Sequence, residues 1–292
     1  MSSCPDTLQT LEPAPEEAPA RPRLALLPAR VRAPRRPRWW QELLFIGIAY
    51  SLYSLVRNAV PEHERPALRR AADVLHLESR LHFAIEHSVN AFVAGRDVLA
   101  YLCNYYYATL HFVVTIAVMV WLYRRHPLRY RQLRSVLMAT TLVALAGFWL
   151  YALAPPRMLA NRGFVDTIVT FHTWGSWGSN GVDSASNQFA AMPSLHIGWA
   201  LWCAVVVVRL SSRSWLRVAA ALYPLMTLFV IIGTANHFVL DAVGGVAVVA
   251  IGFGVQRLLS GESPFAPPPP PLPLPRRPRE LPLAVQAKNT RS

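Results

Sequence analysis

Six apolar windows, each long enough to cross a bilayer as a helix, are the feature that most constrains the fold of this chain. A hydrocarbon core about 30 Å thick needs roughly 20 mostly apolar residues in one helix. The windows run over residues 39–56, 98–123, 136–153, 195–210, 216–233 and 238–258. Backbone polar groups within lipid must be bonded internally, which favours a bundle of helices. We therefore predict an all-α, polytopic membrane helical bundle with six transmembrane helices.

The charged residues lie mostly between these windows and predict the orientation of the bundle. The formal net charge is +13 although 53% of the residues are hydrophobic. Short segments with an excess of arginine are retained on the cytoplasmic side of a membrane. Such segments lie at residues 30–38, 124–134 and 209–217, and the arginines at 276–279 reach the same side after six crossings. This pattern predicts that both termini are cytoplasmic and that the other loops face outward.

Both ends of the chain differ in composition from the windows. Residues 1–38 and 260–292 are rich in proline and arginine, and we predict that both are disordered cytoplasmic tails. Residues 39–259 are left as the membrane domain. The arginines flank apolar windows instead of lining one face among aromatic residues, so we predict no nucleic-acid partner. The three cysteines are widely spaced and indicate neither a disulfide framework nor a zinc site.

The outward segment between the first two windows carries balanced charge and an apolar stripe at helical spacing. The members of this stripe are Leu77, Leu81, Ala84, Ile85, Ser88 and Phe92. One apolar stripe beside a polar face is typical of an amphipathic helix. We predict such a helix on the outer membrane surface, and a helix that only packs over the bundle remains the alternative.

Two outward helix ends offer groups that suit a phosphate. Prolines end the third window, so Arg157 emerges at the outer surface, where it can hold a phosphate or reach lipid headgroups. The fourth window begins with Pro193 and Ser194, which suit a helix start, and His196 follows directly. The unpaired N–H groups of a helix start favour a phosphate oxyanion.

The start of the last window provides a histidine with a carboxylate partner. His237 and Asp241 are four residues apart and therefore share one face of a helix. A carboxylate bonded to one imidazole nitrogen sets the tautomer and leaves the other nitrogen free to attack phosphorus or to move a proton. Because the predicted orientation places Arg157, His196 and this pair on the same outer side, we predict one shared phosphoryl-transfer site.

Polar residues also lie within the second window. Asn104, Tyr107 and His111 share a helix face that is otherwise apolar. Polar groups inside a membrane need partners or a water-filled cavity. These residues are predicted either to line a substrate cavity or to form hydrogen bonds between helices, and the sequence does not decide between the two.

In these residues the chain resembles the membrane-bound type 2 phosphatidic acid phosphatase superfamily. Within it, the chain is most similar to the inositol phosphorylceramide synthase-like branch and its bacterial relatives, over about residues 60 to 258. Three motifs carry the resemblance: Ala154-Pro155-Pro156-Arg157, Ala191-Met192-Pro193-Ser194-Leu195-His196, and His237 with Asp241 ahead of Gly244-Gly245.

The resemblance implies a role for each residue of the shared site. His237 would attack phosphorus to form a phosphohistidine, and Asp241 would orient its ring. His196 would protonate the departing oxygen, and Arg157 would hold the non-bridging oxygens. The resemblance also implies a metal-independent reaction without a cofactor, in a bacterial plasma membrane.

Two departures from the family pattern bear on the substrate site. Leu195 stands where phosphatases commonly have a glycine, which favours the synthase-like branch. Ile231 stands where an arginine is expected, so one phosphate ligand is missing. Arg162, Asn236 and the backbone amides of Ser194 and Leu195 are candidates to replace it.

The function that we predict is a lipid phosphatase or phosphotransferase that acts on a lipid-linked phosphate at the outer membrane face. The final acceptor is either water or an alcohol such as inositol. The alternative is an inositol-phosphate (phosphodiester head-group) transferase of the inositol phosphorylceramide synthase type. A non-catalytic lipid binder or flippase and a structural scaffold with decayed motifs are the alternatives of other classes.

Overall fold

The computed structural model describes Leu26 and residues 37–59, 64–159, 162–173 and 188–266. Of the two predicted tails, 1–38 and 260–292, these ranges include only residues 26, 37, 38 and 260–266. Within them the chain forms α-helices and no β-strand. The helices are α1 (Trp39–Asn58), α2 (Glu64–Arg80), α3 (Glu86–Ala94), α4 (Asp97–Arg125), α5 (Pro127–Leu150), α6 (Thr167–Thr170), α7 (Leu195–Leu210), α8 (Ser214–Gly233) and α9 (Val239–Ser260). The prediction of an all-α fold is confirmed.

Four of these helices, α4, α5, α8 and α9, are long and apolar enough to cross a membrane. Helix α7 is apolar but has 16 residues, fewer than the roughly 20 that a bilayer core needs. Helix α1 has 20 residues and is not among these four. All six predicted windows are therefore helical, four of them qualify as membrane spans, and the count of six stays a prediction.

The prediction that the stripe over residues 77–92 lies on one helix is wrong. The helix breaks after Arg80, His82 adopts a left-handed backbone conformation (φ 62°), and α3 begins at Glu86. In one continuous helix Glu78 and Glu86 would lie about 12 Å apart along the axis and point in different directions. The break instead directs both buried carboxylates to the start of α9. The stripe residues Leu77 and Phe92 are exposed, and their place on a membrane surface stays a prediction.

Helix α9 lies along α5 and α7, and α7 also packs against α8. Close approach of α7 and α9 depends on Gly245, where a Cβ would lie 2.6 Å from the Ser194 carbonyl oxygen. Ser194 in turn donates its backbone N–H to the carbonyl oxygen of Asp241 at 2.9 Å. The starts of α7 and α9 are thereby held side by side.

At the opposite end of the bundle, α1 is joined to α5 by an ion pair. Both carboxylate oxygens of Glu42 accept hydrogen bonds from Nη1 of Arg134. The two side chains are 10% and 13% exposed, respectively. The guanidinium also lies over the ring of Phe45, 4.3 Å from its centroid. This pair belongs to the arginine-rich end that the charge pattern predicts to be cytoplasmic.

Candidate active site

Backbone hydrogen bonds bring three chain segments together at one end of the bundle. After α5, Leu153 donates its N–H to Phe189 at 2.8 Å, which connects this segment to the one that leads into α7. Arg157, in a short 3₁₀ turn, donates its N–H to the carbonyl of Ala235 at 2.9 Å. Because the third segment is the link between α8 and α9, the residues predicted on separate loops share one site.

His237 and Asp241 form a buried pair at the start of α9. The two side chains are 5% and 0% exposed, and Nδ1 of His237 lies 3.3 Å from Oδ2 of Asp241. The same carboxylate oxygen accepts the backbone N–H of Phe238 at 2.9 Å. We assign the Nδ1–H tautomer to His237 on the basis of this bond. Nε2 of His237 has no hydrogen-bond partner among the described residues, so it is the nitrogen that can react.

The ring of His196 faces this pair from the first turn of α7. Its centroid lies 5.5 Å from that of His237, so both imidazoles can contact the same phosphoryl group. Tyr107 stacks on His196 with a centroid distance of 4.3 Å, and the ring of His111 meets it edge-on at the same distance. These contacts from α4 set the orientation of His196.

Arg157 is held by partners on both sides. Its Nη1 donates to Oδ1 of Asn236, and its Nε lies 3.3 Å from Oδ2 of Asp166. The side chain of Asn236 is itself held by Thr234, because its Nδ2 donates to Oγ1 of Thr234 at 2.8 Å. Asn236 therefore positions the guanidinium, and the role of Arg157 and Asn236 as phosphate ligands stays a prediction.

The other predicted phosphate ligands lie in different settings. Ser194 caps α7, because its Oγ accepts the N–H of Ile197 at 3.5 Å, and its own N–H is bonded to Asp241. Arg162 is exposed and lines an outer cavity of about 520 Å³ together with His87. No described contact joins Arg162 to His237.

The three polar residues of the second window have separate roles. Asn104 donates to the carbonyl of Thr167 at 3.0 Å and to Oγ1 of Thr173 at 2.9 Å, so it ties α4 to α6 and the segment that follows it. Tyr107 and His111 instead contact His196. The helix widens into a π-helical turn at Tyr106–Leu110, and His111 donates Nδ1–H to the Tyr107 carbonyl at 3.1 Å. Such turns are frequent at functional sites.

Sequence reasoning missed three charged residues near the site. Glu78 and Glu86 belong to the segment whose charges balance in the sequence, and both are fully buried against the start of α9. Arg57 of α1 lies within electrostatic reach of Tyr107 and His196. One signal was available, because Glu78 continues a buried stripe at helical spacing. That stripe consists of Ala67, Ala71, Val74 and Glu78.

Within the described ranges, no group of three or more His, Cys, Asp or Glu side chains is arranged to hold a metal ion. The metal-independent reaction stays a prediction, because the structure does not test it.

Comparison with known protein families gives a match. The family model of the PAP2 superfamily matches residues 72–255, which is more than half of the chain and includes Arg157, His196, His237 and Asp241. Members of this superfamily are generally phosphatases. Neither a curated protein nor a solved structure matches the chain significantly. The chain therefore belongs to the PAP2 superfamily.

Proposed function

We propose that this protein is a membrane-embedded, metal-independent enzyme that cleaves or transfers a lipid-linked phosphate through a phosphohistidine on His237. One observation carries the proposal: Nδ1 of His237 is bonded to Asp241 while Nε2 has no partner among the described residues. An imidazole held in this way has one nitrogen stabilised and the other ready to attack. The ring of His196 at 5.5 Å supplies the acid that the same step needs.

In the first step, Nε2 of His237 forms a bond to phosphorus while the bond from phosphorus to the leaving oxygen breaks. Protonated His196 gives its proton to that oxygen, and Asp241 stabilises the positive charge on the modified imidazole. Arg157 neutralises the non-bridging oxygens, which is the main demand of phosphoryl transfer.

In the second step, neutral His196 removes a proton from water or an alcohol, whose oxygen attacks phosphorus. The bond between phosphorus and Nε2 then breaks, and His237 is restored. From a lipid phosphomonoester the product is free phosphate with water or a new phosphomonoester with an alcohol, so the acceptor decides whether the enzyme is a phosphatase or a transferase. A phosphodiester donor would give a new phosphodiester with an alcohol.

The proposed location is a bacterial plasma membrane, with both termini cytoplasmic and the site facing outward. Two observations support the orientation. The site residues lie at one end of the bundle, and Arg134, from an arginine-rich segment, lies at the other end. Arginine-rich segments are retained on the cytoplasmic side.

Transfer to an alcohol such as inositol, as in the inositol phosphorylceramide synthase-like branch, is the second candidate. Leu195 favours it, because phosphatases of the family commonly carry glycine at this position. Leu195 is the first residue of α7, directly before His196. A larger side chain there changes the space beside the acid that must also activate the acceptor.

The test uses the purified full-length chain in lipid nanodiscs with a panel of labelled lipid phosphates. We expect phosphate release, together with an acid-labile, base-stable phosphorylated protein that can be trapped on rapid quenching. His126→Ala is the matched control, since His126 lies at the opposite end of the bundle, next to Trp121. Equal release by wild type and His237→Ala would contradict the proposal and favour a lipid binder or flippase. Added inositol yields a labelled phosphate ester of inositol only if the second candidate is correct.

A further inference from the structure

Three buried carboxylates meet at the start of α9. Asp241 accepts the backbone N–H of Phe238 at 2.9 Å, Glu86 accepts that of Val239 at 2.9 Å, and Glu78 accepts that of Leu240 at 2.7 Å. The first N–H groups of a helix have no partner within the helix. Here three consecutive N–H groups each donate to a carboxylate, and two of the three carboxylates come from helices α2 and α3.

The two glutamates satisfy only half of their own hydrogen-bonding capacity in this way. Both side chains are fully buried, and Oε2 of each lacks a partner among the described residues. No described ion pair involves either residue. Two adjacent carboxylates that are both ionised and both buried would repel each other without compensation.

We propose that Glu78 and Glu86 share one proton, and that this acid–carboxylate pair is a positioning device for His237 and Asp241. The inference rests on the function proposed above. The protonated Oε2 of one glutamate donates to the free oxygen of the other, which gives both unpartnered atoms a bond. The remaining oxygens hold the first turn of α9, and with it the nucleophile.

The charged surroundings favour a retained proton. Burial, followed by the nearby carboxylates of Glu86 and Asp241, raises the pKa of Glu78 to about 9. The charged or titratable groups around the pair come from four elements: Asp73 and His76 on α2, His87 on α3, Arg162 before α6, and Asp241 on α9. Arg162 is the one arginine among them, and it is exposed.

The sign of the resulting pH dependence follows from the raised pKa. The folded protein holds the proton more tightly than the unfolded chain, whose glutamates titrate near 4.5. The contribution of the pair to stability is therefore complete below that pH and is lost as the pH rises through about 9. Activity should fall over the upper part of the same range, because a second ionised glutamate would repel its partner and loosen the first turn of α9.

Substitutions of Glu78 separate a shared proton from simple packing. In Glu78→Gln the amide oxygen can accept from Leu240 while the amide N–H donates to Glu86, which mimics the protonated acid. We expect this variant to keep kcat within about twofold at pH 7 and to lose the alkaline decline. Glu78→Ala should lower kcat about tenfold or more with little change in KM, because the nucleophile is misplaced. Glu64→Gln, on the same helix but exposed, is the control and should behave as wild type.

Infrared spectroscopy tests the proton without any substrate. Wild type should show the C=O stretch of a buried protonated carboxyl group, and Glu78→Gln should lack it. The proposal is overturned if this band is absent from wild type, if Glu78→Gln keeps the alkaline decline, or if Glu78→Gln is as impaired as Glu78→Ala. Should wild type process no lipid phosphate, the proposed function fails, yet the infrared band and the pH dependence of thermal unfolding still decide whether the proton is shared.

Discussion

The two ends of the helical bundle both bury glutamates, but they satisfy them in different ways. At the arginine-rich end, Glu42 meets the guanidinium of Arg134, and the two charges cancel. At the site end, Glu78 and Glu86 meet backbone N–H groups and no described cation. A matched ion pair only joins two helices. Carboxylates placed on a helix start orient the first turn of that helix, which here carries the histidine proposed to react.

The strongest test of this contrast is removal of the proposed nucleophile. His237→Ala should lower kcat by at least about 10³-fold, because no other group takes its place in forming the covalent intermediate. The measurement is phosphate release under saturating lipid phosphate. The folded fraction, measured by size exclusion and thermal unfolding, should stay close to that of wild type. A loss of less than about tenfold would exclude a phosphohistidine on this residue.

Removal of the guanidinium at the site should have the next largest effect. Arg157→Ala is expected to lower kcat/KM by about 10²- to 10³-fold, since one preorganised donor to the developing charge is lost. Arg96→Ala is the control, because this exposed arginine donates to the carbonyl oxygen of Phe92 and, within the described ranges, to no residue of the site. If both variants lose activity equally, Arg157 acts through surface charge and not through the phosphate.

The support of that guanidinium can be tested by a double-mutant cycle. Asn236→Ala should lower kcat/KM by about tenfold, because Arg157 loses the amide that orients it. The double variant Asn236→Ala/Arg157→Ala should be no worse than Arg157→Ala alone, since the amide then has nothing left to orient. Fully additive losses would instead mean that Asn236 contacts the phosphate independently.

A substitution at the arginine-rich end of the bundle should lower stability and leave the catalytic rate unchanged. Glu42→Ala leaves Arg134 partly buried without its carboxylate, and we expect a loss of about 3 kcal/mol in unfolding free energy. Thermal unfolding in nanodiscs measures this loss, and kcat should stay within about twofold of wild type. Glu42→Leu combined with Arg134→Met should recover most of the stability. A large fall in kcat for Glu42→Ala would show that the two ends are coupled.

Much of the fold could be predicted because it depends on local properties. The apolar windows are all helical, since length and hydrophobicity along a segment determine a membrane helix. The stripe over residues 77–92 is instead divided between two helices, because the break after Arg80 depends on which groups Glu78 and Glu86 bond to. Those partners lie 162 and 153 residues further along the chain, a distance at which periodicity carries no information.

In the candidate site, too, local contacts could be predicted from the sequence and contacts between distant segments could not. The sequence by itself predicted the pairing of His237 with Asp241, because the two residues are close along the chain. The structure corrects the reason: His237 lies two residues before α9, and Asp241 in the first turn of the helix reaches back to it. Only the tertiary structure decided that Asn236 holds Arg157, that Tyr107 stacks on His196, and that two glutamates meet at the start of α9. Each of these contacts joins different elements of the chain. Their geometry follows from how the helices pack, and no single segment of sequence contains it.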